Sequence, residues 1–308
     1  MWKDESTQMK KIGIIILCYF ITSTLSAQYA SNSRDAARKV SIGQYNYSIT
    51  YNYRYAIDTI SNKRFLDRKI LEIGNDFSRF YSMYADRVDS VMHRARIDKK
   101  NKIGGLNPRT WMKSDEKDIY EDYYINYPKK GILIVRTALI DTEYEYQEPI
   151  NQFEWQIIAD QSETILGYEC IKATTSFRGR KFEVWFTLSI PISLGPWKFS
   201  GLPGLILKAK DTNGLFTWEA MGMTQTKGDI YIYDPKGGTS IPGAPSMRIV
   251  KISRAQLQKL QRKLWEDPVG LSMQHGGTVT AMDLLTKKLT PLKPGDMRYP
   301  FIPTLELE

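Results

Sequence analysis

The chain has 308 residues, 42% of them hydrophobic and 25% charged, a balance that excludes wholesale disorder and leaves material for a sizeable core. Lys and Arg number 43 against 34 Asp and Glu, for a net charge of +9. Such an excess suits nucleic acid, anionic lipid or glycan, or simply a solvated surface, and the first residues bear on that choice.

Met9-Lys10-Lys11 form a positive n-region, Ile12 to Ile21 an apolar h-region, and Leu25-Ser26-Ala27 ends in a small residue before Gln28. That order predicts a secretory signal peptide over residues 1–27, with Met9 as a second candidate start because Asp4 and Glu5 precede it. The apolar run is shorter than the roughly 20 residues of a spanning helix, so cleavage is expected rather than anchoring, and no later stretch is apolar enough to span. Cys18 would suggest lipidation, but the bulky Leu17 before it fits that poorly. Export makes nucleic acid the poor choice of partner and predicts a periplasmic, outer-membrane-associated or secreted protein. Cys170 is then the one remaining thiol, unable to form an internal disulfide, and reads as a small core residue.

The odd positions from Tyr45 to Tyr55 are Tyr, Tyr, Ile, Tyr, Tyr, Tyr, and the even ones Asn, Ser, Thr, Asn, Arg. Strict alternation predicts a strand with its aromatic row on the core side; a ligand-stacking platform is the alternative. Lys69–Ile73 and Phe77–Ser82 predict two strands about a turn at Gly74-Asn75-Asp76. Tyr84, Val88, Met92 and Ala95 stand at helical spacing, and the basic His93–Lys100 suits a helix C-terminus. Residues 101–119, with Gly-Gly and Asn-Pro breakers, read as an exposed loop.

Strands are next predicted at Tyr123–Tyr127, Ile132–Leu139, Trp155–Ile158, Gly167–Phe177, Lys181–Ser189, Leu205–Lys210 and Leu215–Met221. In Asp141–Glu148 acids alternate with Tyr144 and Tyr146, which predicts a strand with a charged outer face; a calcium site is the other reading. Strands so closely spaced leave no room for crossover helices, so an antiparallel meander is expected. Asp234–Ser246, rich in Gly and Pro, reads as a long surface loop or arm. Ser253 and Gln256 form a capping box, and Leu257, Leu260 and Leu264 an apolar stripe that ends before Asp267-Pro268. The expectation is a signal peptide, 1–27, and a single β-rich domain, 28–308, of the α+β class: a curved antiparallel sheet, half-barrel in form, with one or two packed helices.

The densest pattern runs from Gly167 to Leu207 and includes Gly167-Tyr168-Glu169-Cys170, Glu183-Val184-Trp185-Phe186 and Gly195-Pro196-Trp197-Lys198-Phe199-Ser200-Gly201-Leu202-Pro203-Gly204-Leu205-Ile206. It resembles the GLPGLI family, also called Porph_ging, of Bacteroidetes envelope proteins, whose naming hexapeptide stands intact at Gly201–Ile206. The family's usual Asn-Pro-Ile-Glu ending reads here Pro303-Thr304-Leu305-Glu306. The resemblance implies an envelope protein encoded beside TonB-dependent outer-membrane receptors, with no settled activity to carry over. The curved sheet is similar, by analogy, to lipoprotein carriers of the LolA type. Read for itself, Leu202-Pro203-Gly204-Leu205 predicts a type II turn with Gly204 at positive φ, and Gly201 and Gly204 also permit close backbone approach at a sheet corner.

No residue is assigned a catalytic, cofactor-binding or metal role, and no cofactor is expected. His93 falls among basic residues on a predicted helix surface and His275 in a predicted flexible loop, so neither completes a nucleophile–base pair locally. There is no His-x-x-x-His, Cys-x-x-Cys or phosphate-loop spacing. The leading expectation is a non-enzymatic binding or assembly protein whose partner is an outer-membrane TonB-dependent receptor or an apolar or peptide ligand. Tyr45, Tyr47, Tyr51, Tyr53, Trp185 and Trp197 are conceivable contacts that core packing explains equally well. The alternative is an envelope hydrolase of peptide or glycan that uses His275 or an acidic pair.

Overall fold

The tyrosine-alternating stretch is the heart of a strand twice as long as its pattern, β1 (Ala37–Ala56). It is followed by β2 (Arg64–Gly74), β3 (Ser78–Ser82), α1 (Met83–Ile97), β4 (Glu121–Ile125), β5 (Ile132–Leu139) and β6 (Thr142–Pro149). Then come β7 (Gln156–Ile165), β8 (Tyr168–Phe177), β9 (Arg180–Thr187), β10 (Leu205–Asp211), β11 (Phe216–Thr239) and β12 (Ile249–Lys251). The chain closes with α2 (Arg254–Glu266), α3 (Pro268–Gln274), β13 (Thr280–Met282) and β14 (Leu289–Pro291). This computed structural model describes residues 37–56, 63–97, 109–139, 142–239, 249–274, 278–282, 289–298 and 303–307, with Thr59 and Gly276. The predicted signal peptide and His275 lie outside the described residues.

The described residues divide into two compact units. One comprises residues up to Leu257 together with those after Pro300, and the other lies within Gln258–Pro300. In the smaller unit the β13–β14 hairpin accompanies a core of Val269, Val279 and Met297. Asp267 starts α3 by accepting bonds from the backbone N–H of Gly270 and, from further on, Gly295, both at 2.9 Å. These two backbone donors hold its carboxyl below the usual range.

The larger unit is β-dominated and antiparallel, as expected. Its 12-stranded sheet has the order β12-β6-β5-β4-β3-β2-β1-β11-β10-β9-β8-β7, and β12 on β6 is its one parallel pair among the described residues. Two meanders, β1–β6 and β7–β11, are thus joined side by side through β1 and β11. β6 and β7 are consecutive in the chain yet ten places apart in that order. Laid flat, ten strand spacings would separate them by about 48 Å. The seven steps from Pro149 to Gln156 reach at most about 25 Å. The sheet must therefore curl until its two ends approach across an inner face. Register shifts in β1 near Ser41, Tyr45 and Thr50 supply part of that bend.

Tyr51 and Tyr53, from the aromatic row, are buried on the inner face, where Tyr53 stacks on Trp218 with ring centroids 5.0 Å apart. Beyond the end of β2, β1 and β11 continue as a two-stranded ribbon that pairs residues 37–45 with 228–239. This ribbon folds over the outer face. Ile232, Val40 and Ile42 pack there with Tyr124 and Ile134, and the Tyr233 hydroxyl reaches Asp89 of α1 at 3.2 Å.

Four expectations are corrected by this arrangement. The segment read as a loop from Asp234 begins instead as strand, because its first residues pair with the start of β1. The acids of β6 do not face water: Glu143 and Glu145 are buried, and Glu145 accepts a 2.8 Å bond from Arg136 Nε. Arg136 in turn donates to the Tyr233 carbonyl of the ribbon that covers this face. Residues 109–119 are not wholly exposed, since Leu66 forms a bridge with buried Glu116. Finally, Gly201, at φ 97°, is the hexapeptide glycine in the left-handed region, and Gly204 is not. Gly204 is needed for close approach: a Cβ there would lie 2.0 Å from the Thr187 carbonyl oxygen.

Because that neighbour is backbone in the adjacent strand, it cannot rotate aside. Gly204→Ala is expected to destabilise the chain by more than the roughly 1 kcal/mol typical of a point change, read as a lowered urea midpoint. An unchanged midpoint would show that β9 and β10 do not come this close.

Candidate functional site

Residues 188–204, between β9 and β10, fold back over the inner face as a plug. Trp197, Phe199 and Leu202 are its buried anchors. The Trp197 ring lies 6.2 Å from that of Trp218 at an interplanar angle of 13°, and Phe199 meets Phe182 edge-on at 5.1 Å. Trp155, just before β7, ties down the end of the plug with a 2.8 Å bond from its indole N–H to the Ser200 carbonyl. Leu205, Ile206 and Leu207 then enter β10 fully buried, with a register shift between Ile206 and Lys208. The Tyr51 hydroxyl donates to the Ile206 carbonyl at 2.8 Å beside that irregularity. The hexapeptide is therefore the point where the plug is stitched into the sheet.

Trp197 sits at φ 57°, an unfavourable conformation for a bulky residue that persists only where packing over-determines it. Its successor, Lys198, is deeply buried, with a side-chain exposure of 1%. Lys198 Nζ donates to the Tyr146 hydroxyl at 2.9 Å, to Glu148 at 2.7 Å and to Glu306 at 2.5 Å. Tyr146 and Glu148 belong to β6, so this one ammonium joins the plug to the opposite end of the curled sheet.

Arg178, in the β8–β9 turn, makes a second span. It donates to Glu148 at 2.7 Å, to Asn151 of the β6–β7 link at 3.1 Å and to Glu306 at 2.6 Å. Arg254, the first residue of α2, adds a 2.9 Å bond to the same Glu306 oxygen. The C-terminal segment is further held by a bond from the Leu307 N–H to the Arg178 carbonyl at 3.0 Å and by Arg180 donating to the Thr304 carbonyl. Pro303–Leu307, bent at Leu305, is thus a peptide segment clamped by the Glu306 carboxylate.

Burial pushes the Glu148 carboxyl up, but Lys198 and Arg178 more than offset this and leave it below the usual range. Burial likewise opposes the Arg178 charge, and Glu148 and Glu306 outweigh it. The Tyr146 hydroxyl is pushed well up, first by burial and then by the Glu306 and Glu148 charges. Paired charges of this kind hold an anionic segment in place.

Of the conceivable contact residues, Tyr51, Tyr53, Trp185 and Trp197 are buried in the protein's own packing, while Tyr45 and Tyr47 are half-buried on β1. Cys170 is buried, and burial pushes its thiol up to about 11, so a nucleophilic thiolate is disfavoured there at neutral pH. His93 lies on α1, partly exposed. Among the described residues no three His, Cys, Asp or Glu gather as a metal site requires. Sequence reasoning does not find Arg178, Lys198, Arg254, Glu148 or Glu306. The one local signal is a lysine set between two aromatic residues in the motif.

The fold and site define a β-dominated α+β protein whose curled sheet is plugged by its own motif loop. The family model Porph_ging, described as a protein of unknown function, matches residues 176–208, from the end of β8 through the plug into β10. No curated protein matches. Two solved structures of PNGF-II, in space groups P21 and C2, are similar at 17% and 18% identity, each with a TM-score of 0.41 over 71% of this chain. The match covers 33% and 32% of those chains, so this one spans about a third of their length. The LolA superfamily protein NE2245 from Nitrosomonas europaea is similar at 10% identity and a TM-score of 0.23, over 65% of this chain and 90% of that one.

Replacing Lys198 removes the cation that spans the sheet's ends. Lys198→Met is expected to cost about 3 kcal/mol, the range for breaking a buried ion pair. It should also change the acid response. A carboxylate whose folded pKa is depressed contributes stability that is present above its unfolded value, about 4.5 for Glu148, and lost as pH falls through the folded one. The wild-type chain should therefore lose more stability than Lys198→Met between about pH 5 and 3. Asp67, whose carboxyl burial raises despite Lys69, contributes with the opposite sign but equally in both chains. Parallel pH curves for urea unfolding would contradict the assignment.

Proposed function

We propose that this chain is an exported cell-envelope protein with a non-enzymatic binding or assembly role, which engages another polypeptide rather than transforming a small substrate. The observation that carries this is the clamp: a buried polar network on the inner face holds a peptide segment by a carboxylate. The aromatic inner face, the natural seat for an apolar ligand, is filled by Trp197, Phe199 and Trp218, which favours a polypeptide partner over a lipid. The signal-peptide pattern of residues 1–27 favours a partner in the envelope, and a TonB-dependent outer-membrane receptor is the partner class that the family resemblance brings. Exposed apolar side chains at Leu188, the first residue of the plug, and at Met221 and Ile157 offer contact points.

The chain expressed with its leader in a Gram-negative host should be recovered from the envelope fraction with Gln28 as its first residue. A photo-crosslinking amino acid at Leu188 or Met221 should join it to an envelope protein. Retention of residues 1–27 in the cytosol would contradict export. An exported chain that gives no adduct from either position but hydrolyses peptide or glycan would overturn the binding role.

A further inference from the structure

The cations around Glu306 come from three separate places: Arg178 from the β8–β9 turn, Lys198 from the plug and Arg254 from the start of α2. All three reach Glu306, and Lys198 and Arg178 also reach Glu148. Lys198 and Arg178 are fixed without the tail. Lys198 is also held by Tyr146 and Glu148, and Arg178 by Glu148 and Asn151. The described tail residues, by contrast, make their hydrogen bonds to the clamp through Glu306, the Leu307 N–H and the Thr304 carbonyl, and Leu307 itself is exposed.

We propose that this clamp is a receptor for a peptide bearing a carboxylate side chain, filled in cis by Pro303–Leu307 and able to take an acidic segment from another polypeptide in its place. The inference rests on the binding role above and names the chemistry of the partner. If Glu306 withdrew, Lys198 and Arg178 would share Glu148 alone, and buried Lys198 could not regain full hydration. A vacant clamp is therefore costly, and it favours any carboxylate that arrives on a backbone able to pair with the Arg178 carbonyl and with Arg180. Three cationic donors on its two oxygens, Lys198 on Oε1 and Arg178 and Arg254 on Oε2, favour a carboxylate over a neutral amide at that position. A tethered tail competes at an effective concentration on the order of millimolar, so an incoming segment must be locally concentrated or the tail weakened.

The test uses the full chain and a fluorescent peptide with the sequence of Phe301–Glu308. The Glu306→Gln chain should bind this peptide at least about tenfold more tightly than the wild-type chain, because the cis competitor is weakened. A peptide with Gln in place of Glu306 should lose that gain. No difference between the two chains, or equal binding of the two peptides, would overturn the proposal. Should Glu306→Gln be too unstable to titrate, excess native peptide should raise its melting temperature and the Gln peptide should not; absence of that rescue also overturns it. Sedimentation separates the sources: a dimer of the Glu306→Gln chain with a wild-type chain identifies a second copy's tail as the occupant, and monomers that bind peptide identify a different protein. Failure here alongside crosslinking to an envelope protein removes the clamp as the recognition site and leaves the wider binding role intact.

Discussion

Seven chain steps between Pro149 and Gln156 constrain the larger unit more than any other single feature. They tie together strands that the sheet order sets ten places apart, and no flat or gently twisted sheet satisfies that link. Once the ends approach, the inner face becomes an interior, and interiors pack to the density of organic crystals. The sheet's own inward side chains do not fill it. The loop between β9 and β10 does, with Trp197 and Phe199 placed on Trp218 and Phe182.

Closure by strand pairing would need matched edges, and β7 pairs with β8 alone among the described strands. Closure here runs through side chains. Lys198 and Arg178 reach Glu148 and Asn151 from the far end of the sheet, and Glu306 of the tail enters the same network. A buried ion network of this kind contributes little net stability compared with apolar packing, because both charges lose hydration. Its strength is specificity: it accepts one register of plug, link and tail, since any slip leaves a buried charge unpaired. The left-handed backbone at Trp197 is a local cost of sending the indole to Trp218 and the next side chain to β6.

Features that depend on neighbours in sequence are legible from the residues alone. The two-residue period of Tyr45–Tyr55 is the central strand. The reciprocal Ser253–Gln256 cap is present at 2.7 and 3.2 Å, and the helix around Val88 spans Met83–Ile97. The antiparallel meanders follow from short connections. Features that depend on partners distant in sequence are hidden. Glu145 alternates as an exposed acid would, yet the β1–β11 ribbon covers it, and nothing near Glu145 encodes that ribbon. Gly204 carries the sequence signature of a left-handed turn, but the demand on it is the Thr187 backbone in the preceding strand. Lys198 reads as an interruption in an aromatic motif because its partners, Glu148 and Glu306, lie 50 and 108 residues away.

The claim that charges on the plug and on β6 hold the two ends of the sheet together is tested most directly by a double-mutant cycle on Lys198 and Glu148. Lys198→Met, Glu148→Gln and the double variant would be compared by urea unfolding with circular dichroism. Groups in one buried network should show a coupling of about 1–3 kcal/mol, with the double variant less damaged than the sum of the single ones. Additivity to within about 0.5 kcal/mol would mean that the two ends of the sheet are energetically independent, and the account of a closed, plugged sheet would be wrong.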